Sequence, residues 1–268
     1  MRIAHRIFHV CWVPCCAVAL LVQTRTMHHE PPLSGWVDGF VFGGTLFGYH
    51  VNHTYGYYRA AAILAGLFAG ICFLMAWKSA PHPTGWFFAG TMPFLFWLGY
   101  YGFTRNGKLG FRNLPRAKPL VVALTWAWVT VLLPLPAEPN ASWFFLWLGR
   151  ALFILALALG YDLVDTAYDQ RHGLVTWTGR LGEKGALSLI NRSLFLSGLC
   201  AVVHVGDGIP GISELFAQLI SLVIGAWWLP FLLRKKTWEP WHKVLIDALM
   251  VLQVALVVLS QGGLILQP

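Results

Sequence analysis

Charge is scarce in this chain: 11% of its 268 residues are Asp, Glu, Lys or Arg against 57% that are apolar, and only eleven are acidic. Soluble domains carry about 25% charged residues, so a mean hydropathy of +0.61 excludes an ordinary water-soluble fold. There is no long polar linker and no low-complexity run, and residues 1–268 read as one transmembrane domain. GxxxxGK[ST] and GxSxG patterns are missing, which leaves P-loop and serine-hydrolase chemistry without support, and the Gly- and Pro-rich "GDGIPG" reads as a loop between apolar stretches. Cysteine is sparse and unpatterned: Cys11, Cys15, Cys16, Cys72 and Cys200 all fall in apolar stretches with no CxxC pair. They read as small hydrophobes rather than a redox or metal centre.

What is present is hydrophobic length. Crossing a bilayer as a helix takes about 20 apolar residues, and nine stretches approach this, at 8–23, 35–52, 59–77, 86–103, 119–136, 143–161, 186–205, 212–233 and 244–265. The links carry the Pro, Gly and charge signals of loops, as in "SAPHPTG", "RNGKLGFRNLPRAK" and "RKKTWEPWHK". The first stretch, preceded by Arg2 and Arg6, imitates a secretory signal, but no small-x-small site follows and it is expected to be retained.

With the N-terminus in the cytoplasm, the loops after spans two, four, six and eight share that side. They hold nearly all the Lys and Arg, from Arg59 through Lys108, Arg112 and Lys118 to Lys243, whereas Arg25 and Lys78 alone fall opposite. This is a positive-inside pattern. It predicts an integral membrane protein of the bacterial inner-membrane type with its C-terminus on the far side. The formal charge of +8 then reflects topology and attraction to anionic lipid, not nucleic-acid binding.

Against this background Asp162, Asp165 and Asp169 stand together in "YDLVDTAYDQRHG", at the end of the sixth apolar stretch. Their i, i+3, i+7 spacing puts three carboxylates on one helix face. Crowding them at a membrane boundary is unfavourable unless a cation sits among them, and a divalent metal is the simplest candidate.

Beyond the trio come Gly173, Thr176 and Leu181-Gly182, giving D-x-x-D-x-x-x-D-x-x-x-G-x-x-T-x-x-x-x-L-G. Here the chain resembles the UbiA superfamily of intramembrane prenyltransferases, whose second aspartate-rich motif has this form, and nine spans with motif loops after the second and sixth match its architecture. The resemblance implies an all-α, polytopic bundle of nine transmembrane helices around a central cavity open to the cytoplasmic side. It further implies transfer of an isoprenoid chain from a prenyl diphosphate to a quinone-ring, haem, chlorin, glycerol-phosphate or other lipid-pathway acceptor. Asp162, Asp165 and Asp169 would be the catalytic, metal-binding set for Mg2+-diphosphate. The segment from Tyr101 to Lys118 looks like the family's third cytoplasmic loop region, with Tyr101, Lys108, Arg112 and Lys118 directed to the diphosphate.

The chain departs from the family at the other motif. Where N-D-x-x-D-x-x-x-D is normal, the sequence reads "LFGYHVNHTYGYYR", so that His50, His53 and Tyr57 take the three aspartate positions, with Asn52 nearby. Histidine suits transition metals better than magnesium. Three readings follow: one Mg2+ on the aspartate trio with the histidines hydrogen-bonding diphosphate, a transition metal shared by histidines and aspartates, or a catalytically inactive isoprenoid-binding protein or membrane-complex subunit. Enzymatic transfer is the leading expectation, with His50, Asn52, His53 and Tyr57 completing the substrate pocket.

Arg150, Arg192, Asp38 and Asp247 also lie within or at the edges of predicted spans, and Arg150 and Asp38 are expected at similar depth as a structural pair. Gly39, Gly43, Gly44 and Gly48 recur along span two in the small-residue pattern that lets helices approach closely.

Overall fold

A computed structural model describes residues 2–28, 35–53, 59–80, 82–101, 117–134, 141–171, 176–206, 211–234 and 241–265. All regular structure among them is helical: α1 (Arg2–Met27), α2 (Gly35–His53), α3 (Arg59–Ser79), α4 (Pro83–Tyr101), α5 (Ala117–Ala127, continuing through a π-helical turn at Trp128–Leu132), α6 (Ser142–Arg171), α7 (Trp177–Val205), α8 (Ile212–Arg234) and α9 (His242–Ile265). Each predicted apolar stretch falls on one of these elements. Six of them, α1, α3, α6, α7, α8 and α9, are long and apolar enough to cross a membrane by length and composition.

Helices adjacent in sequence are adjacent in space, and α9 packs back against α1, so the elements form a closed ring. Short apolar-to-apolar connections leave little alternative to antiparallel neighbours. The main core joins Cys16 and Leu20 of α1, Ala123 of α5, Phe153, Ile154, Leu157 and Leu159 of α6, Ile190 and Leu194 of α7, Leu229 of α8, and Ile246 and Met250 of α9. The outward faces are equally apolar. Ile63, Leu67 and Ile71 of α3 and Phe195, Leu199 and Val202 of α7 are exposed, an arrangement suited to lipid and not to water.

Because lipid tails are as apolar as leucine, helix association in a bilayer depends on close packing and interhelical hydrogen bonds. Both are visible. A Cβ at Gly39 would stand 2.8 Å from Cys72 Sγ, and one at Gly43 would stand 2.8 Å from Phe68 Cδ1 and 3.2 Å from the Ala69 backbone nitrogen. Gly39 and Gly43 are therefore a contact surface of α2 on α3, as their spacing predicts, whereas a Cβ at Gly44 would meet nothing within 4 Å. Ser197 Oγ donates to Gly149 O at 2.8 Å, tying α7 to α6. In the π-helical turn Leu133 N–H reaches Trp128 O at 3.1 Å, and the Trp128 indole donates to Ala89 O of α4 at 2.9 Å.

The five cysteines are free, with Cys16, Cys72 and Cys200 buried as small packing residues and Cys11 and Cys15 exposed. One expected pairing is corrected. Asp38 takes Arg25 Nη2 at 2.7 Å, while Arg150 Nη2 lies 3.4 Å from Thr24 Oγ1. Consecutive helices explain this: Arg25 is in the last turn of α1 and Asp38 in the first turn of α2, whereas Arg150 lies two turns along α6, about 12 Å from its start.

Candidate functional site

The helix carrying the aspartates runs well past the hydrophobic stretch that precedes them. α6 extends to Arg171, so Asp162, Asp165 and Asp169 lie on one continuous helix, and i, i+3, i+7 places them along a single face. Leu, Ala and Gly dominate its middle, and nothing β-branched or proline-containing interrupts "RALFILALALGYDL" apart from Ile154.

Asp162 is buried, with 1% of its side chain exposed, and its Oδ1 accepts Lys118 Nζ at 2.8 Å. Lys118 is at the start of α5, held in the first turn beside Pro119, a residue suited to that position because its missing N–H would have no helical partner there. One turn further, Asp165 Oδ2 accepts Lys243 Nζ at 2.9 Å, both side chains being roughly one-third exposed. Lys243 is in the first turn of α9. The two carboxylates thus face the positive ends of α5 and α9 as well as their lysines, a sense in which helix dipoles favour negative charge.

Tyr161 extends the network. Its hydroxyl donates to Asp247 Oδ2 at 2.5 Å and lies 3.2 Å from Lys243 O, and its ring lies 5.7 Å beneath the Lys243 ammonium. Asp247 is 3% exposed, and Lys243 and Asp247 are four residues apart on α9, the spacing at which side chains share a face. Tyr161, Lys243 and Asp247 do not enter the predicted site. The signal was nonetheless present in the tyrosine preceding Asp162 and in the K-x-x-x-D spacing opposite.

The rest of the long motif has a local structural explanation. Thr176 caps α7, its hydroxyl accepting Gly179 N–H at 3.2 Å and sharing a hydrogen bond with Thr178 at 3.1 Å. Gly182 has φ 67° and ψ 175°, a conformation that L side chains rarely adopt. T-x-x-x-x-L-G therefore sets the path by which the chain returns after α6: a capped turn, then a kink that only glycine accepts without strain.

Other predicted site residues fall outside this description. His50, Asn52 and His53 stand in the last turns of α2 and Tyr101 ends α4, but their side chains, like that of Asp169, are outside the described residues, as are Tyr57, Lys108 and Arg112 altogether. Of the expected site, the structure brings together Asp162, Asp165 and Lys118. Among the described residues no three His, Cys, Asp or Glu side chains converge as around a metal ion.

Comparison with known proteins agrees with this architecture. No protein-family model matches the sequence, and no curated protein is recognisably similar to it. Solved structures are. A digeranylgeranylglyceryl phosphate synthase superposes with a TM-score of 0.60 over 97% of this chain and 96% of its own, at 12% identity. The apo structure of a UbiA homolog from Aeropyrum pernix K1 gives 0.55 over 99% and 98%, at 14% identity. A ring of antiparallel membrane helices with an acidic helix end at one face defines the class as a polytopic intramembrane bundle. Within that class the chain has the UbiA fold.

Proposed function

We propose that this protein is an intramembrane prenyltransferase, moving an isoprenoid chain from a prenyl diphosphate to a lipophilic aromatic or other lipid-pathway acceptor at the cytoplasmic leaflet. The observation that carries the reading is the buried carboxylate of Asp162, set on α6 of a UbiA fold and neutralised by a lysine from another helix. A carboxylate is not placed at such a depth without a cationic partner.

The donor set fits magnesium: Asp162, Asp165 and Asp169 offer hard carboxylate oxygens on one helix face, and the two described carboxylates already take cationic partners at 2.8 and 2.9 Å. Bound there, Mg2+ would neutralise charge on the diphosphate as it becomes a leaving group. The chain's own groups supply the rest. Lys118 and Lys243 place ammonium donors at the same helix end, where phosphate oxygens are stabilised by charge-assisted hydrogen bonds. Lys108 and Arg112 would add to that charge, and His50, Asn52, His53, Tyr57 and Tyr101 would complete the pocket. Tyr161, held by Asp247, fixes the α6 and α9 ends against each other. An isoprenoid tail would lie among the helices, where exclusion of water would protect an allylic cation from hydrolysis.

The test is an assay of purified protein with radiolabelled prenyl diphosphate, a panel of acceptors, and magnesium or manganese. Ion-dependent product that disappears in Asp162→Ala and Asp165→Ala is expected. Tight prenyl-diphosphate binding without product, unchanged in those variants, would overturn it.

A further inference from the structure

A second feature at the same end of the bundle lies outside this site. Between α7 and α8 runs an open groove of about 650 Å³ lined by Lys184, Ser188, Asn191, Arg192 and Phe195 of α7 and by Pro230 and Arg234 of α8. Leu187, half-buried, also lines it; the other five α7 residues follow i, i+4, i+7, i+8, i+11, one stripe of a helix, and are exposed. Three cations therefore line one depression. None of them makes an ion pair with a carboxylate among the described residues, although Glu183 adjoins Lys184 in sequence.

Depth makes this arrangement informative. Arg192 lies eight residues beyond Lys184, about 12 Å along the helix. It is followed at once by Phe195, Leu196, Leu199 and Val202, all exposed and apolar. A guanidinium at the head of a lipid-facing stripe is costly in hydrocarbon unless an anion meets it there. Arg234, in the last turn of α8, and Lys184 approach from the headgroup level. Ser188 and Asn191 offer uncharged hydrogen-bond donors between them. Cations above and an exposed phenyl ring below match an amphiphile with an anionic head and an acyl chain. A free phosphate would have no use for Phe195, which is 67% exposed.

We infer that this groove binds an anionic glycerophospholipid, its phosphate held by Arg192, Arg234 and Lys184 and an acyl chain lying along Phe195. The site is distinct from the aspartate end of α6 and stands whether or not the chain proves to be a transferase.

The test is native mass spectrometry of delipidated full-length protein in detergent, titrated separately with phosphatidylglycerol, phosphatidylcholine and inorganic phosphate. Retention of phosphatidylglycerol over phosphatidylcholine is expected. A basic residue that meets the lipid phosphate should contribute about fivefold, and one outside the groove nothing in detergent, so R192Q/R234Q should lose roughly twenty-five-fold. R180Q, which removes an exposed cation of the same helix outside the groove, should leave binding unchanged. Should the double variant not elute as a folded species, R192Q and R234Q singly are each expected to show the fivefold loss. Equal retention by wild type and the groove variants would overturn the inference, as would an equal loss in R180Q or displacement of the lipid by inorganic phosphate.

Discussion

Replacing Lys118 by methionine tests the central contact of the site. The substitution keeps the aliphatic stem and removes the ammonium, leaving the Asp162 carboxylate, 1% exposed, without the lysine 2.8 Å from its Oδ1. At that separation and an effective dielectric of ~20 the gross attraction is about 6 kcal/mol. Much of this is offset by desolvation, and removing one member of a buried pair typically costs about 3–5 kcal/mol. Since Lys118 is itself 30% exposed, water can replace part of its role, and the expected loss is about 2–3 kcal/mol, or ~5 °C in Tm for a chain of this size. Thermal unfolding in detergent of K118M, D162N and K118M/D162N completes a double-mutant cycle. The double variant should recover most of the stability lost by K118M, because no buried charge then lacks a counter-charge. If K118M unfolds with the wild type, or the double variant is as unstable as the sum of the singles, the pair does not hold these helices and the burial argument is wrong.

Three further outcomes follow. Lys243→Met, by contrast with Lys118→Met, removes a partner from a pair that is about one-third exposed on each side; it should cost under about 1 kcal/mol in thermal unfolding while still lowering transferase activity if Lys243 serves the diphosphate. Tyr161→Phe deletes the 2.5 Å hydrogen bond to Asp247 and should destabilise by about 1–3 kcal/mol, since a buried carboxylate loses a donor; an unchanged Tm would show that Asp247 is held by other groups. Gly43→Ala should cost about 1–3 kcal/mol because its new methyl meets Phe68 and the α3 backbone, whereas Gly44→Ala, with nothing within 4 Å, should be neutral or slightly stabilising. Equal effects at the two glycines would remove the packing account of the stripe.

Much of the architecture was legible because membrane helices are written in composition. Every predicted apolar stretch overlaps a helix among the described residues, and the boundaries that moved did so for local reasons. α6 continues ten residues past its apolar run because the acidic end finds partners on α5 and α9, so polar sequence there is helix and not loop. α7 starts nine residues before its apolar run because Thr176 caps it and Gly182 bends it, signals that hydropathy cannot register. The pairing of Asp38 was misread because depth in a span was taken as the guide. Arg25, in the last turn of the preceding helix, was already within reach, and short connections bring such ends together before distant helices meet.

The site shows a finer limit. Spacing alone establishes that three carboxylates share a face and that something cationic must accompany them, but a one-dimensional pattern does not say whether that cation is a metal or an ammonium group. The structure supplies lysines, Lys118 from α5 and Lys243 from α9, which are 44 and 81 residues away from Asp162 in sequence. The sequence marks Lys118 as a candidate charge for phosphate, and in the structure the same ammonium neutralises Asp162. These roles are compatible for a physical reason: an acidic helix end that receives a metal-bound anion must remain neutralised before the ligand arrives, or the bundle would carry uncompensated buried charge in its resting state. A lysine on a flexible stem, one-third exposed, suits that duty better than an arginine locked in a bidentate fork. On this argument K118R should keep stability near wild type yet impair turnover, because the planar guanidinium would hold Asp162 more rigidly. Wild-type turnover in K118R, with the pair intact by the double-mutant cycle, would show that Lys118 need not move for the site to work.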